Sequence, residues 1–324
     1  MFDTIEKPKI DISSDFYKDV ISGLNQYPKS LSSKYFYDKK GDQIFQQIME
    51  LDEYYLTRAE FEIFNLQADK ILDTFSPNDQ PFNLIEFGAG DGLKTKVLLK
   101  YFLQKEADFS YLPIDISQNA LNGLASSLNQ EIPELNINTL QGDYFEVLDK
   151  LSHQSDRRNI LLFLGSNIGN FTNEQAKTFL SKISQDLNTG DLILLGIDLK
   201  KKPESILAAY SDKKGVTAEF NLNLLDRINH ELDGDFERSK FIHNASYDPI
   251  TGDCKSSLLS KENQTVTING NTFHFDQWEP IHTEISKKYS LKDIETLGKN
   301  TGFEIIDYLF DRKKQFTNTI WRVI

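Results

Sequence analysis

Cysteine is almost absent from this chain of 324 residues, which has a single one, Cys254. One cysteine cannot form an internal disulfide, and it has no spaced partner with which to bind zinc, so we predict neither a disulfide nor a metal site. Apolar runs are also short. Residues 1–9 contain no apolar segment typical of a secretory leader, and no run is long enough to cross a bilayer. We therefore expect a cytoplasmic protein.

Basic residues are outnumbered: 36 lysines and arginines face 49 aspartates and glutamates, which gives a formal net charge of -13. A molecule with this charge is repelled by a phosphate backbone and by an anionic lipid surface. We therefore expect neither nucleic acid nor a membrane as a partner. A small molecule is the favoured substrate, and we expect the chain to act as a monomer.

The bulk composition is that of a globular protein, with 39% hydrophobic, 12% aromatic and 26% charged residues. The length exceeds that of one ordinary hydrophobic core. Strand-like and helix-like segments alternate from about residue 82 to 199, which indicates a doubly wound α/β sheet. The predicted strands are 83–87, 111–116, 135–140, 159–164 and 191–199, and the predicted helices are 93–103, 119–128 and 173–187.

A glycine-rich segment follows the first predicted strand. Residues 83–92 read Asn-Leu-Ile-Glu-Phe-Gly-Ala-Gly-Asp-Gly, and the glycines allow a tight turn that a nucleotide can approach closely. A bare structural turn is the alternative. A dinucleotide fingerprint would need glycine at position 93, which is Leu93. The Glu-x-Gly-x-Gly-x-Gly pattern, with Glu86, Gly88 and Gly90, therefore favours S-adenosyl-L-methionine.

Acidic residues end the next two predicted strands. Asp115 lies where an acidic residue accepts ribose hydroxyls, and Asp143 lies where a carboxylate can accept the adenine amino group while Tyr144 packs on the ring. Either aspartate alone could be a helix cap or a turn residue. Two of them at strand ends beside one crevice favour a cofactor site.

The alternation stops after residue 199 and resumes near the end of the chain. Strand-like runs occur at 241–247, 264–268 and 272–275, and then Ser290 caps a predicted helix at 291–300, followed by strands at 303–310 and 317–324. A helix and a hairpin after the fifth strand, with the last strand inserted antiparallel, close the class I methyltransferase (Rossmann-like) sheet. We predict this domain at 61–200 and 287–324, and a smaller α+β substrate-binding domain at 1–60 and 201–286.

Five further blocks identify a family. They are residues 33–41 (Ser-Lys-Tyr-Phe-Tyr-Asp-Lys-Lys-Gly), 54–60 (Tyr-Tyr-Leu-Thr-Arg-Ala-Glu), 163–171 (Phe-Leu-Gly-Ser-Asn-Ile-Gly-Asn-Phe), 215–221 (Gly-Val-Thr-Ala-Glu-Phe-Asn) and 283–286 (Thr-Glu-Ile-Ser). Together they resemble the L-histidine Nα-methyltransferase family of the ergothioneine pathway, over nearly the whole chain. The resemblance implies trimethylation of the α-amino group of histidine to a betaine, at the expense of three molecules of cofactor.

The same resemblance implies roles for individual residues. Tyr54, Asn170 and Tyr210 would hold the α-amino and carboxylate end of the substrate, with Tyr37 beside it, so that Tyr37 and Asn170 are the candidate catalytic residues. Glu284 and Ser286 would hold the imidazole. The cofactor-binding positions of the family match Gly88, Lys94, Asp115, Asp143 and Tyr144.

Glu284 and Ser286 also make chemical sense for this role. A carboxylate can accept the imidazole N–H, and a hydroxyl can serve the other ring nitrogen. Alternation places both side chains on one face of a strand. A solvated strand edge is the alternative interpretation of Glu-x-Ser. The chain departs from the family pattern at Ser256, where a pocket methionine is expected, and at Leu56, where proline is common.

Two other functions remain open at this point. One is N-methylation of another amino acid or of an amine such as a tryptophan derivative, although a carboxylate at Glu284 does not suit a purely apolar indole pocket. The other is a catalytically inactive, cofactor-binding regulatory protein. A nucleic-acid enzyme is disfavoured, because such amide-nitrogen methyltransferases often carry Asn or Asp before Pro-Pro, and the sequence contains no Pro-Pro pair.

Overall fold

A computed structural model describes residues 11–152 and 157–324. Residues 1–9, in which no leader is predicted, lie outside the described residues, as does the start of the predicted substrate-binding domain. The chain divides into two compact units. The first comprises the described residues up to Tyr55 together with 201–286, and the second comprises 56–200 together with 287–324. The domain boundary predicted after residue 60 therefore falls within the helix Leu56–Phe75 of the second unit.

The helices are α1 Asp15–Asn25, α2 Lys39–Glu50, α3 Leu56–Phe75, α4 Thr95–Gln104, α5 Gln118–Glu131, α6 Tyr144–Ser152, α7 Asn173–Asp186, α8 Pro203–Tyr210, α9 Val216–Leu232 and α10 Leu291–Lys299. The strands are β1 Lys29–Ser30, β2 Phe82–Phe87, β3 Phe109–Asp115, β4 Leu140–Gln141, β5 Arg158–Phe163, β6 Leu192–Asp198, β7 Phe241–Tyr247, β8 Asp253–Ser260, β9 Gln264–Ile268, β10 Asn271–Phe275, β11 Pro280–Lys287, β12 Phe303–Phe310 and β13 Phe316–Val323.

The second unit is built on a seven-stranded sheet in the order β12-β13-β6-β5-β2-β3-β4. The pairs within β6-β5-β2-β3-β4 are parallel, whereas β13 runs antiparallel to both β12 and β6. This confirms the predicted doubly wound sheet with its last strand inserted antiparallel. The strand order places the carboxyl ends of β2, β3, β4 and β5 at one edge, where ligands bind in sheets of this kind.

The central strands are mostly apolar, as is typical of parallel strands whose two faces are both covered by helices. Every residue of β2 and of β6 is buried, and so are five of the six residues of β5. One hydrophobic core of this unit joins those strands to α7 and to Trp321 of β13. The edge of the sheet where the site residues lie is therefore supported by a well-packed hydrophobic core.

The prediction of a third strand over 135–140 was wrong in the length of that strand. The structure has a strand only at β4, preceded by an isolated bridge in which Ile137 opposes Tyr111. Tyr111 exchanges backbone hydrogen bonds with Asn136 and Asn138, so the segment touches β3 at one point instead of along a ladder. The helix predicted from residue 93 begins at Thr95, and α6 was not predicted.

The first unit contains a four-stranded sheet in the order β1-β11-β8-β7 and a β9-β10 hairpin. Its core is separate from that of the second unit and joins α1, α2 and α9 to these strands. Phe220, Leu224 and Ile228 recur at helical spacing along α9 and are buried in this core. This helical spacing explains why α9 presents one apolar face to its own sheet.

Candidate functional site

The glycine loop after β2 has the backbone conformation that only glycine adopts freely. Gly88, Gly90 and Gly92 have φ angles of 62°, 56° and 65°. A Cβ atom on Gly92 would lie 2.7 Å from Cδ1 of Leu124, and one on Gly88 would lie 3.1 Å from the Tyr144 hydroxyl. A Cβ on Gly90 would meet open space among the described residues. The loop thus offers backbone that a ligand can approach.

Three other predicted cofactor residues lie at the same edge. Asp115 ends β3, and Asp143 follows β4, whose Gln141 is the register partner of Asp115. The ring of Tyr144 stacks on Phe87 with centroids 4.5 Å apart and planes 8° from parallel. Burial and then the charges of Asp115, Asp143 and Glu86 raise the pKa of Tyr144 to about 12, so its hydroxyl is neutral.

Each aspartate also caps local backbone, as the alternative interpretation of the sequence allowed. Asp115 accepts the Ser117 N–H at 2.8 Å, and Asp143 accepts the Phe145 N–H at 2.9 Å. One oxygen of each carboxylate makes these bonds, Oδ1 in both cases. A cap of this kind fixes the carboxylate in place, so capping and ligand binding are compatible roles.

Glu86 is buried and is held by the protein itself. It accepts hydrogen bonds from the Thr95 hydroxyl at 2.7 Å and from the Tyr111 hydroxyl at 2.5 Å, one on each oxygen. Burial raises the pKa of Glu86 to about 6, against the lowering effect of these two donors. The described contacts make Glu86 a brace between β2, β3 and the start of α4, and its direct contact with a cofactor stays a prediction.

Lys94 ends the glycine loop and occupies the N-cap position of α4. Its ammonium forms an ion pair with the carboxylate of Glu60 at 2.6 Å. The Lys94 side chain is 24% exposed, whereas that of Glu60 is fully buried. The ammonium of Lys94, the predicted cofactor-binding cation, is therefore paired with a buried carboxylate that no sequence motif indicates.

Asn170 lies in the loop that follows β5. The turn Asn167–Asn170 is a 3-10 helix, preceded by Ser166 in the left-handed conformation with φ 61°. A Cβ atom on Gly169 would lie 2.8 Å from the backbone oxygen of Lys287, so this turn packs closely on the backbone of the last residue of β11. Asn170 itself is exposed at the carboxyl edge of the sheet, where its amide is accessible.

In the first unit, two predicted substrate-binding residues contact each other directly. The hydroxyl of Tyr210, at the end of α8, lies 2.6 Å from the hydroxyl of Ser286 on β11, and either can be the donor. Both residues are buried. Hydroxyl groups rotate to suit their partners, so this pair can redirect one hydrogen bond to a ligand.

Glu284 lies two residues before Ser286 on the same strand and is half-buried. The Ser256 hydroxyl donates a long hydrogen bond to Oε2 of Glu284, at 3.4 Å. Next to it, the Thr283 hydroxyl donates to Oδ1 of buried Asn221 at 2.7 Å, which ties β11 to α9. Ser256 thus joins the polar cluster that contains Glu284, a contact that no local sequence pattern indicates.

Tyr37 and Tyr54 belong to an aromatic cluster in this unit. Phe45 makes edge-to-face contacts with both rings, at centroid distances of 5.5 Å to Tyr37 and 6.3 Å to Tyr54. Although 48% of Tyr37 is exposed, burial of its hydroxyl end, and then the charges of Glu284 and Asp42, raise its pKa. The Tyr37 hydroxyl is therefore a neutral hydrogen-bonding group and lies within the field of Glu284.

The predicted residues thus fall into two sets. The first unit holds Tyr37, Tyr54, Tyr210, Glu284 and Ser286, and the second unit holds Glu86, Gly88, Gly90, Lys94, Asp115, Asp143, Tyr144 and Asn170. Within the described ranges, no group of three or more His, Cys, Asp or Glu residues is arranged to hold a metal ion. In the same residues, no helix combines the length and apolarity needed to cross a membrane.

The sheet order and the glycine loop define a class I, S-adenosylmethionine-dependent methyltransferase. The structure of the mitomycin 7-O-methyltransferase is similar in fold, with a TM-score of 0.51 at 11% identity, over 97% of this chain and 70% of that chain. The family described as "Histidine-specific methyltransferase, SAM-dependent" matches residues 16–323. The chain belongs to this family, and its cofactor is S-adenosylmethionine.

Two mycobacterial relatives cover most of the chain. Histidine N-alpha-methyltransferase of Mycobacterium tuberculosis is 35% identical over 84% of this chain and 84% of its own length. The protein of the same name from Mycolicibacterium smegmatis is 34% identical over 86% of this chain and 85% of its own length. These matches confirm the family that the five sequence blocks indicated and the expectation of an enzyme.

Proposed function

We propose that this enzyme trimethylates the α-amino group of L-histidine to its betaine, hercynine, within ergothioneine biosynthesis. The observation that carries the proposal is the polar pair on β11: a half-buried carboxylate, Glu284, and a buried hydroxyl, Ser286, two residues apart. The names of the two mycobacterial relatives support the same substrate. An imidazole has one N–H and one bare nitrogen, which match these two groups.

The proposed roles of the cofactor-binding residues follow from their positions at the carboxyl edge of the sheet. Gly88 and Gly90 offer accessible backbone, Asp115 and Asp143 offer carboxylates at strand ends, and Tyr144 offers a neutral hydroxyl beside Gly88. Glu86 accepts hydrogen bonds from Thr95 and Tyr111 and so connects the strand before the glycine loop to the helix after it. When bound, S-adenosylmethionine supplies an electrophilic methyl group on a sulfonium, so no metal is needed for the transfer.

The chain's own residues must present an unprotonated amine in the correct orientation, because only a nitrogen lone pair can accept the methyl group. We propose Tyr37 and Asn170 as the catalytic residues that orient this amine. The raised pKa of Tyr37 makes it a hydrogen-bonding partner and unsuited to be a general base. Tyr54 and Tyr210 would hold the rest of the amino-acid backbone, with Tyr210 directed by its bond to Ser286.

Specificity for histidine would come from hydrogen bonds that only a ring with nitrogens can make. With an amino acid that lacks ring nitrogens, Glu284 and Ser286 would each lose the hydrogen bond proposed to the imidazole. A hydrogen bond to a charged group is worth about 1.5–3 kcal/mol, and one between neutral groups about 0.5–1.5 kcal/mol. Ser256 stands where the family pattern has methionine. Its hydroxyl donates a hydrogen bond to Glu284, so the side chain at this position is polar and not apolar.

We also propose that the enzyme is cytoplasmic and monomeric. The single cysteine, Cys254, is buried, and a chain with one cysteine is suited to a reducing compartment. Light scattering of the purified protein across a range of concentrations tests the monomer: one constant mass near 37.3 kDa is expected, and a dimer mass would contradict it.

The substrate is tested by incubating pure protein with S-adenosylmethionine and each of the twenty amino acids in separate reactions. Mass spectrometry should find a trimethylated product with histidine and none with the other nineteen. Methylation of tryptophan and not of histidine would support the alternative amine substrate. Binding of the cofactor with no methylated product from any amino acid would support an inactive regulatory protein.

A further inference from the structure

The carboxylate of Glu60 is fully buried and is surrounded by donors from three separate parts of the second unit. Its Oε2 pairs with the Lys94 ammonium at 2.6 Å and accepts the Gly165 N–H at 3.0 Å. Its Oε1 accepts the side-chain amide of Asn318 at 2.9 Å. Burying a charge is costly unless it is paired and hydrogen-bonded, and here it is both.

The backbone around Glu60 is shaped to make room for this cluster. A Cβ atom on Gly196 would overlap Oε1 of Glu60, and one on Gly165 would lie 3.0 Å from Nζ of Lys94. Gly165 also has a φ of 73°, a conformation that favours glycine. Gly196 within β6 and Gly165 in the loop after β5 therefore leave the space that the carboxylate and the ammonium occupy.

Stability alone does not explain a charge at this position. The neighbours of Glu60 on α3 are apolar and buried, including Ala59, Ile63 and Phe64. A well-packed apolar residue is commonly at least as stabilising as a buried ion pair. What the carboxylate provides, and an apolar residue would not, is a fixed position for its donors.

Those donors belong to the two loops that carry proposed functional residues. Lys94 is the last residue before α4 and directly follows the glycine loop. Gly165 opens the loop after β5 that leads to Asn170. Oε2 of Glu60 accepts both the Lys94 ammonium of the first loop and the Gly165 N–H of the second, and this N–H also reaches Oε1 at 3.2 Å.

We propose that Glu60 is a positioning residue for the cofactor: it holds the Lys94 ammonium and the Gly165 peptide at the carboxyl edge of the sheet, in the arrangement that binds S-adenosylmethionine. The inference rests on the proposed cofactor role of Lys94. Glu60 acts through these groups and does not itself contact a ligand.

The test compares Glu60→Gln with Glu62→Gln, a matched control on the same helix. Oε1 of Glu62 forms an ion pair with Nε of the exposed Arg312, at 3.4 Å. Glu62 is not one of the residues that contact Glu60. Titration calorimetry with S-adenosylhomocysteine should give a Kd about tenfold higher for Glu60→Gln, because a charged hydrogen-bond partner of Lys94 is lost. The Kd of Glu62→Gln should equal that of the unchanged protein.

A double-mutant cycle with Lys94→Met separates positioning from a general loss of stability. If Glu60 acts in part through Lys94, the loss of S-adenosylhomocysteine binding in the double variant should be smaller than the sum of the two single losses. Additive losses, or an unchanged Kd in Glu60→Gln, would overturn the inference. Should Glu60→Gln fail to fold, Glu60→Asp decides by the same comparison, because its shorter carboxylate keeps the charge but cannot reach both Lys94 and Gly165.

The cofactor readout is independent of the acceptor. A protein that binds S-adenosylhomocysteine but does not methylate histidine would refute the proposed substrate and leave the role of Glu60 standing. A histidine-methylating enzyme whose Glu60→Gln variant binds the cofactor normally would refute the role of Glu60 alone.

Discussion

Replacing Glu284 with glutamine removes the negative charge proposed to accept the imidazole N–H while keeping the shape of the side chain. A hydrogen bond to a charged group is worth about 1.5–3 kcal/mol. The loss should therefore lower kcat/KM for L-histidine roughly 10- to 150-fold. The Ser256 hydroxyl, 3.4 Å from Oε2 of Glu284, can also donate to the amide oxygen of glutamine, so the variant can keep this contact.

Glu279→Gln is the matched control for this variant, since Glu279 lies just before the same strand. Its carboxylate forms an ion pair with Lys29 at 2.5 Å, with both side chains largely buried. We expect Glu279→Gln to lower the free energy of unfolding without changing kcat/KM, which is the reverse of the pattern for Glu284→Gln. Steady-state kinetics and urea unfolding of both variants measure the two quantities.

An equal kcat/KM for L-histidine in folded Glu284→Gln and in the unchanged protein would show that Glu284 does not bind the imidazole. A fall in kcat/KM matched by an equal weakening of S-adenosylhomocysteine binding would also contradict this role, because Glu284 is proposed to read the acceptor and not the cofactor.

Three more predictions follow from the second unit and from the chemistry. The raised pKa of Glu86, about 6 against 4.5, favours its neutral form in the folded protein, so this stabilisation is present below pH 4.5 and lost as the pH rises through 6. Relative to Glu86→Gln, the free energy of unfolding of the unchanged protein should fall by about 2 kcal/mol from pH 4 to pH 7, and a constant difference in urea titrations would contradict this. Gly92→Ala should destabilise more than Gly90→Ala, because both strain a positive φ but only the first brings a Cβ against Leu124; equal unfolding midpoints would count against it. The turnover rate should rise between about pH 6 and 9 as the amine loses its proton, whereas a flat profile would show that another step is limiting.

The sheet could be predicted because its strands carry a strong local signal. β2, β5 and β6 are short, mostly apolar runs followed by glycine or polar residues, as buried parallel strands are. The segment 135–140 misled for a local reason as well: asparagines at 136 and 138 alternate with apolar residues as in a strand, yet they bond β3 only around Tyr111. Pairing with a partner strand is a tertiary property that alternation does not determine.

The candidate site could be predicted where its residues belong to local sequence motifs. The glycine loop and the two strand ends at Asp115 and Asp143 are such motifs, and the structure brings them to one edge of the sheet. The contacts of Glu60 and of Ser256 could not be predicted from the sequence, because their partners are far away in the chain. Glu60 meets Asn318 and Gly165, and Ser256 meets Glu284, through packing of elements that no spacing rule connects.

The position of the transferred methyl groups decides whether the α-amino group of histidine is the acceptor. The enzyme should be incubated with L-histidine and S-adenosylmethionine labelled with carbon-13 in its methyl group, and the product examined by NMR. We expect three equivalent labelled methyl groups on the α-nitrogen and an unmodified imidazole. A label on a ring nitrogen, or no labelled histidine from an enzyme that binds the cofactor, would contradict this expectation.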